Sequence, residues 1–206
     1  FRRKKSPRVQ PPQIFFTDTL SGAKELFVSQ RPGIVTMYSC GPTVYSAAHI
    51  GNLRPHVFSD TVARTLAAAG YRVRRVINIT DVGHLVGDGD AGEDKMSMGA
   101  AREKTTPQAI ADRYTKEFLD DLAELNIDTK DISFPRATDY IKEQIALAKT
   151  LEEKGFAYRT KNGLAFDTSR FSGYGKLGNL NLTAQKVGAR IEMDLEKRHP
   201  ADFWLW

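Results

Sequence analysis

The chain has a single cysteine, Cys40, among its 206 residues, so no intramolecular disulfide can form. That argues for a reducing compartment, with cytoplasmic location the expectation, and for use of Cys40 as a thiol. No apolar run approaches the length needed to span a membrane. No internal repeat is visible. Residues 1–12 contain no acid, only Arg2, Arg3, Lys4, Lys5 and Arg8 among prolines 7, 11 and 12. This stretch lacks the apolar core of a signal peptide, and its composition predicts a disordered, solvated tail. It also owns the whole net charge of +5, because the remaining 25 bases balance the 25 acids. The charge is therefore no argument for a nucleic-acid-binding surface on the body of the protein.

What is present has the composition of a globular protein, long enough for one large domain or one domain with an insertion. The organising stretch is residues 34–54. Ile34 to Tyr38 reads as a buried strand that stops at Cys40-Gly41-Pro42, a sharp change of direction. His49-Ile50-Gly51-Asn52 follows, and then a helical pattern with Phe58, Val62, Leu66 and Ala69 on one apolar face. A small glycine at the mouth of a helix lets a phosphate approach free N–H groups and the positive end of the helix dipole, and His49 can donate to that phosphate. Gly70 stands where a left-handed cap belongs, and Tyr71 to Ile79 reads as strand again. Strand, helix and strand within about 45 residues make a βαβ unit, hence an α/β fold with a parallel sheet. Ligands of such sheets bind off the carboxyl ends of the strands, where Cys40 and Asn78–Thr80 both fall. Alone, a strand-end cysteine reads as a small buried hydrophobe.

Elsewhere the chain is more ordinary. Ile14 to Phe27 suggests a short strand, a turn at Ser21-Gly22 and a return. Residues 83–106, rich in glycine, aspartate and charge, suggest a mobile loop. Thr106-Pro107 opens a helix with Ala111, Tyr114, Phe118, Leu122 and Leu125 inward. Its other charges, including Asp112, read as solvated surface. A second long helix after Pro135 turns Ile141, Ile145, Ala148 and Leu151 inward. Ala157 to Asp167 reads as a hairpin around Lys161-Asn162-Gly163, and 172–183 as irregular. His56, His84 and His199 have no motif around them and read as surface or structural.

Cys40-Gly-Pro-Thr-Val-Tyr45 followed by His49-Ile-Gly51 resembles the N-terminal signature of class I aminoacyl-tRNA synthetases, and more narrowly the cysteinyl-tRNA synthetase family. Asn78-Ile-Thr-Asp81, Pro135-Arg-Ala-Thr138 and Asp202-Phe-Trp-Leu-Trp206 fit the same family in order, so the resemblance runs from about Ile14 to Trp206. It implies a Rossmann-type nucleotide fold split by a connective insertion. It implies activation of L-cysteine by ATP, with Mg²⁺, to cysteinyl-adenylate, and transfer to tRNA(Cys) by an enzyme expected to be monomeric. Residue by residue, it makes His49 and Asn52 the catalytic candidates, with Asn52 standing where the family usually has a second histidine. Gly41, Thr43, Gly51 and Asn78 would join them around ATP and the adenylate. Cys40, Gly41 and Thr80 would meet the substrate cysteine, and Cys40 would be the first ligand of one Zn²⁺, a thiophilic metal that tells cysteine from serine. Lys95-Met-Ser-Met-Gly99 mimics the family's second signature, Lys-Met-Ser-Lys-Ser, but lies ahead of its place and reads as an ordinary loop or helix start.

On this resemblance, residues 13–125 form the first half of the catalytic domain, 126–201 the connective insertion and 202–206 the start of a second half, the chain being an N-terminal portion expected to be inactive alone. Two rivals share parts of the pattern. One is the ligase that joins cysteine to an amino-sugar in mycothiol synthesis by the same adenylate chemistry. The other is a non-catalytic nucleotide-binding module.

Overall fold

The structure, a computed structural model, describes residues 12–83, 95–161, 163–178 and 196–206. The basic tail up to residue 11, His84, Asn162 and residues 179–183 of the irregular stretch lie outside the described residues. A small antiparallel hairpin comes first, Phe15–Thr17 (β1) and Lys24–Leu26 (β2), with Phe15 opposite Leu26.

The βαβ unit is present as the sequence predicts. Ile34–Ser39 (β3) and Arg72–Ile77 (β4) pair in parallel, Ile34 with Arg72 through Ser39 with Ile77, and Ile50–Ala68 (α1) connects them. Gly70, at φ +91°, closes α1. Its N–H donates to the carbonyl of Ala67 and the N–H of Tyr71 to that of Leu66, the paired bonds of a left-handed helix cap.

The buried face of α1 differs from the apolar stripe expected. Phe58 is 71% exposed and Val62 half-buried, while His56, Ser59, Asp60, Ala63 and Leu66 turn inward. The polar members have partners across the interface. Asp60 accepts from buried Arg75 of β4 at 2.7 Å and from Arg64 at 2.5 Å, and the Ser59 and Ser39 hydroxyls lie 2.8 Å apart. His56 packs edge-on against Phe118, with ring centroids 5.1 Å apart. Burial, and after it the Arg75 charge, lowers the His56 pKa, so the ring stays neutral in place.

The second half of the expected loop, residues 95–106, is ordered. Lys95–Glu103 forms a helix (α2) that buries Met96, Gly99 and Ala100. Pro107–Glu124 (α3) follows, capped by Thr106, whose hydroxyl accepts from the N–H of Ala109. It buries Ile110, Ala111, Tyr114, Phe118 and Leu122, whereas Leu125 is exposed. Together α2 and α3 cover Ile77, Ile79 and Val44 and form the main core. Ile132–Ser133 (β5) then pairs in parallel with β4, giving the sheet order β3-β4-β5. The parallel sheet therefore continues past residue 125.

A 3-10 turn at Ala137–Tyr140 leads into Ile141–Glu153 (α4). No residue of α4 is fully buried; Ile141, Ala148 and Leu151 are half-covered and Ile145 is exposed. Ala157–Arg159 (β6) and Leu164–Phe166 (β7) make the expected hairpin, and Phe203–Trp204 (β8) pairs with β7, so this second sheet has the order β6-β7-β8. Among the described residues no helix is long and apolar enough to cross a membrane.

Candidate active site

The carboxyl ends of β3 and β4 continue to pair beyond the strands. The N–H of Thr80 donates to the carbonyl of Pro42 at 3.0 Å, and that of Val44 to the carbonyl of Thr80 at 3.1 Å. On the other side, Ile79 donates to the carbonyl of Pro135 at 2.8 Å and accepts from the N–H of Ala137 at 2.9 Å. Residues 79–80 are thus gripped from both flanks at the place where such sheets bind ligands.

Gly41 explains the tightness of this end. A Cβ built on it would stand 1.6 Å from the backbone oxygen of Asn78, so no other residue fits without moving a strand end. The N–H of Gly41 donates to Oδ1 of Asn78 at 2.9 Å, and Nδ2 of Asn78 donates to Oγ1 of Thr80 at 3.0 Å. Cys40, next to Gly41, is exposed with a free thiol, unlike the buried small hydrophobe that a lone strand-end cysteine suggests.

Asp81 anchors the far side of this wall. Its side chain, 1% exposed, accepts from the N–H of Thr138 at 3.0 Å, the hydroxyl of Thr138 at 2.6 Å and Nε of Arg136 at 2.9 Å. Burial pushes its carboxyl up, but the two bonds from Thr138 and the Arg136 guanidinium outweigh it and hold the pKa below the ordinary value. Arg136 also donates to Asp112 of α3 at 2.6 Å, so Asp112 is part of the wall and not plain solvated surface. Beside the wall lies an open cavity of about 710 Å³, lined by Tyr38, Val76, Asn78, Phe134, Arg136 and Tyr140 among others.

The second part of the site is the start of α1. His49 is the N-cap residue, and its Nδ1 accepts the N–H of Gly51 at 3.1 Å. Asn52 returns the favour: its Oδ1 accepts the N–H of His49 at 3.0 Å, completing a capping box. With Nδ1 used as an acceptor, the ring proton sits on Nε2, which has no hydrogen-bond partner among the described residues. Gly51 makes room for this pose, since a Cβ there would come within 2.9 Å of Cε1 and 3.0 Å of Nδ1 of His49. His49, Gly51 and Asn52 are all exposed.

The sequence-derived candidates thus fall into two clusters. Cys40, Gly41, Thr43, Asn78 and Thr80 stand together at the strand ends, with Thr43 and Thr80 bridged in parallel. His49, Gly51 and Asn52 stand together at the helix mouth. Asp81 and Arg136 were not named as site residues. The pairing of their segments, 55 residues apart, leaves no local pattern. Lys95 at the start of α2 lies over the Tyr45 ring, 5.6 Å from its centre, so the Lys95–Gly99 stretch is a packed helix start. Among the described residues no group of three or more His, Cys, Asp or Glu could hold a metal ion; Cys40 presents one free sulfur.

Residues 26–206 match the family model for tRNA synthetases class I (C) catalytic domain. The chain is 48% identical over 189 residues to a cysteine–tRNA ligase of Treponema denticola, an overlap of 92% of this chain and 38% of that protein. It is 50% identical over 189 residues to cysteine–tRNA ligase 1 of Burkholderia lata, covering 92% and 40%. The chain thus spans about two fifths of the length of these curated relatives. Among solved structures, the ternary complex LeuRS-tRNA-LeuAMS of Agrobacterium radiobacter is similar at a TM-score of 0.49 and 22% identity, over 64% of this chain and 16% of that one.

Proposed function

The chain belongs to the family of class I (C) tRNA synthetase catalytic domains, and from that premise we propose that it forms the cysteine- and ATP-facing part of a cysteine–tRNA ligase. The reaction has two steps. The cysteine carboxylate attacks the α-phosphorus of ATP, forming a C–O–P bond as the bond to pyrophosphate breaks and its electrons leave with pyrophosphate. A terminal hydroxyl of tRNA(Cys) then attacks the acyl carbon, and AMP departs with the bonding pair.

The observation that carries this reading is the pose of His49. Negative charge builds on the phosphate oxygens during the first step, and a donor fixed in advance stabilises it without reorganising. Nδ1 is pinned by Gly51, so Nε2–H is such a donor, at the positive end of a 19-residue helix. Asn52 serves by holding the backbone of His49. Gly41 and Thr43 shape the rim that faces the adenylate, and Thr80 faces the substrate cysteine.

Cys40 would be one ligand of a zinc ion; its exposed, unpaired thiol at a strand end suits that use. When bound, the metal supplies a preference for a sulfur ligand over a hydroxyl. Mg²⁺ would enter with ATP. A cytoplasmic setting fits the use of Cys40 as a free thiol.

The test is pyrophosphate exchange into ATP by the complete protein that carries this chain, with cysteine or serine as the amino acid, followed by charging of tRNA(Cys). Exchange driven by cysteine and not serine, together with charging, is the expected result. Exchange without charging would point to a cysteine ligase with another acceptor, and no exchange to a binding module.

A further inference from the structure

Four atoms in the strand-end cluster settle a proton position that the function above leaves open. The Gly41 backbone N–H can only donate, so the side-chain atom of Asn78 that faces it at 2.9 Å is the oxygen. The amide nitrogen of Asn78 therefore faces Thr80, and the 3.0 Å bond runs from Nδ2 to Oγ1. The Thr80 hydroxyl is an acceptor in that bond, and its own proton is directed elsewhere. Among the described residues no acceptor for that proton is recorded.

Very little of this arrangement can relax. The main chain of Thr80 is bonded to Pro42 and Val44 on one side, and the next residue, Asp81, is held by Thr138 and Arg136 on the other. Gly41 and Asn78 approach so closely that a methyl group between them would overlap the Asn78 carbonyl. The hydroxyl rotor of Thr80 is the remaining freedom, and the bond from Asn78 excludes the position in which its proton would point at Asn78.

We propose that Asn78 is a positioning residue: by donating to Oγ1 of Thr80 it turns the threonine proton outward, as the donor to an acceptor atom of the substrate cysteine. This rests on the reading that Thr80 faces cysteine. It differs from the expectation that Asn78 contacts the adenylate itself, because its oxygen and one of its N–H groups are already engaged.

Asn78→Asp is nearly isosteric and isolates the effect. One carboxylate oxygen still accepts from Gly41, but the other cannot donate to Thr80, so the threonine proton swings inward to the carboxylate. In the complete protein, measured by cysteine-dependent pyrophosphate exchange, Asn78→Asp should raise the KM for cysteine about tenfold. The KM for ATP should stay near its original value. Thr80→Val should raise the cysteine KM by a similar factor, and the double variant should be no worse than Thr80→Val alone. In a Thr80→Ser background, which keeps a hydroxyl, the Asn78→Asp penalty should return. Thermal melts of the variants, and direct calorimetric titration with cysteine where exchange is too slow, separate folding from binding.

Several results would overturn the proposal. An ATP KM raised more than the cysteine KM would make Asn78 an adenylate ligand. A penalty of undiminished size in the Thr80→Val background would show that Asn78 acts by its charge and not through the hydroxyl. An unchanged cysteine KM in Thr80→Val would remove Thr80 from the cysteine pocket and the proposal with it, while leaving cysteine activation intact. Wild-type protein without cysteine-dependent exchange would instead remove the proposed function itself.

Discussion

Two buried aspartates stand at the ends of the two larger sheets and are held by different kinds of donor. Asp202, just ahead of β8, accepts from the hydroxyl of Tyr158, the N–H and hydroxyl of Thr168 and the N–H of His199, at 2.8 to 3.1 Å. All of these donors are neutral, and burial first, with the Asp202 contact adding to it, raises the Tyr158 pKa, which keeps that phenol protonated. Asp81, just past β4, has Thr138 and one cation, Arg136, which it shares with Asp112. Asp202 ties its own turn, through His199, to both ends of the β6–β7 hairpin, at Tyr158 and Thr168. Asp81 ties the residue next to Thr80 to the far wall and, through Arg136, to α3. The first arrangement secures a fold corner; the second secures the position of the groups proposed to face the substrate.

The comparison can be broken most forcefully at Asp202. Asp202→Ala leaves the donors of buried Tyr158 and Thr168 without their acceptor, frees the N–H of exposed His199, and should cost about 4 kcal/mol of stability. Denaturant unfolding measures the loss. Where the variant is folded, its KM values for cysteine and ATP should match those of the wild type. A shifted cysteine KM would mean that the two aspartates do not divide the work as described.

Asp81→Asn should have a smaller effect on stability, about 2 kcal/mol at neutral pH, because an amide oxygen can keep at most two of the three acceptor contacts and not the charge facing Arg136. Here the cysteine KM should rise. The acid dependence adds a second readout. The folded pKa of Asp81 lies below its unfolded value, about 3.9, so in acid the unfolded chain binds the proton first. The stability due to Asp81 is complete above about pH 5 and is lost as pH falls through the folded pKa. Asp81→Asn should therefore flatten the stability profile in that window. An unaltered profile would show that the Arg136 and Thr138 contacts do not act on the carboxylate.

Both motifs of the Asp81 wall are visible in the sequence, Asn78–Asp81 and Pro135–Thr138, but their contact is not. Ile79 bridges to Arg136 and Asp81 bonds to Arg136 and Thr138 across more than 50 residues, and no local periodicity encodes such a pairing. The strand, turn and helix of the βαβ unit were legible because an apolar run, a cap glycine and 3.6-residue spacing are local signals. Leu66 and Ala69 are buried as expected, but the rest of the inner face of α1 was misread for a physical reason. Apolar periodicity assumes that what points inward is apolar, whereas Asp60 is buried against Arg75 and Ser59 against Ser39. Phe58 took the place in the pattern that His56 and Ser59 occupy in the structure. Helix α2 was legible only as a loop or helix start at Lys95–Gly99, because it sits in a stretch dense in glycine and charge and is only nine residues long. Strand β5 has two residues and carries no alternation at all. In the candidate site, His49, Gly51 and Asn52 lie within four residues of one turn and are legible as one group, but the contacts among them needed coordinates. That Asn52 supports the backbone of His49, and that Gly51 clears space for its ring, follows from the 3.0 Å and 2.9 Å approaches alone.

The most direct measurement is cysteine-dependent pyrophosphate exchange by the complete protein with and without His49→Ala. If Nε2–H of His49 meets the charge that develops on the phosphates, the exchange rate should fall by about 10²–10³, with a far smaller change in the KM for ATP. Loss of the N-cap should cost the fold only about 1 kcal/mol, so the variant remains folded at the assay temperature. A rate within a few-fold of wild type, or a loss in ATP affinity equal to the loss in rate, would contradict the assignment of His49 as the fixed donor to the transition state.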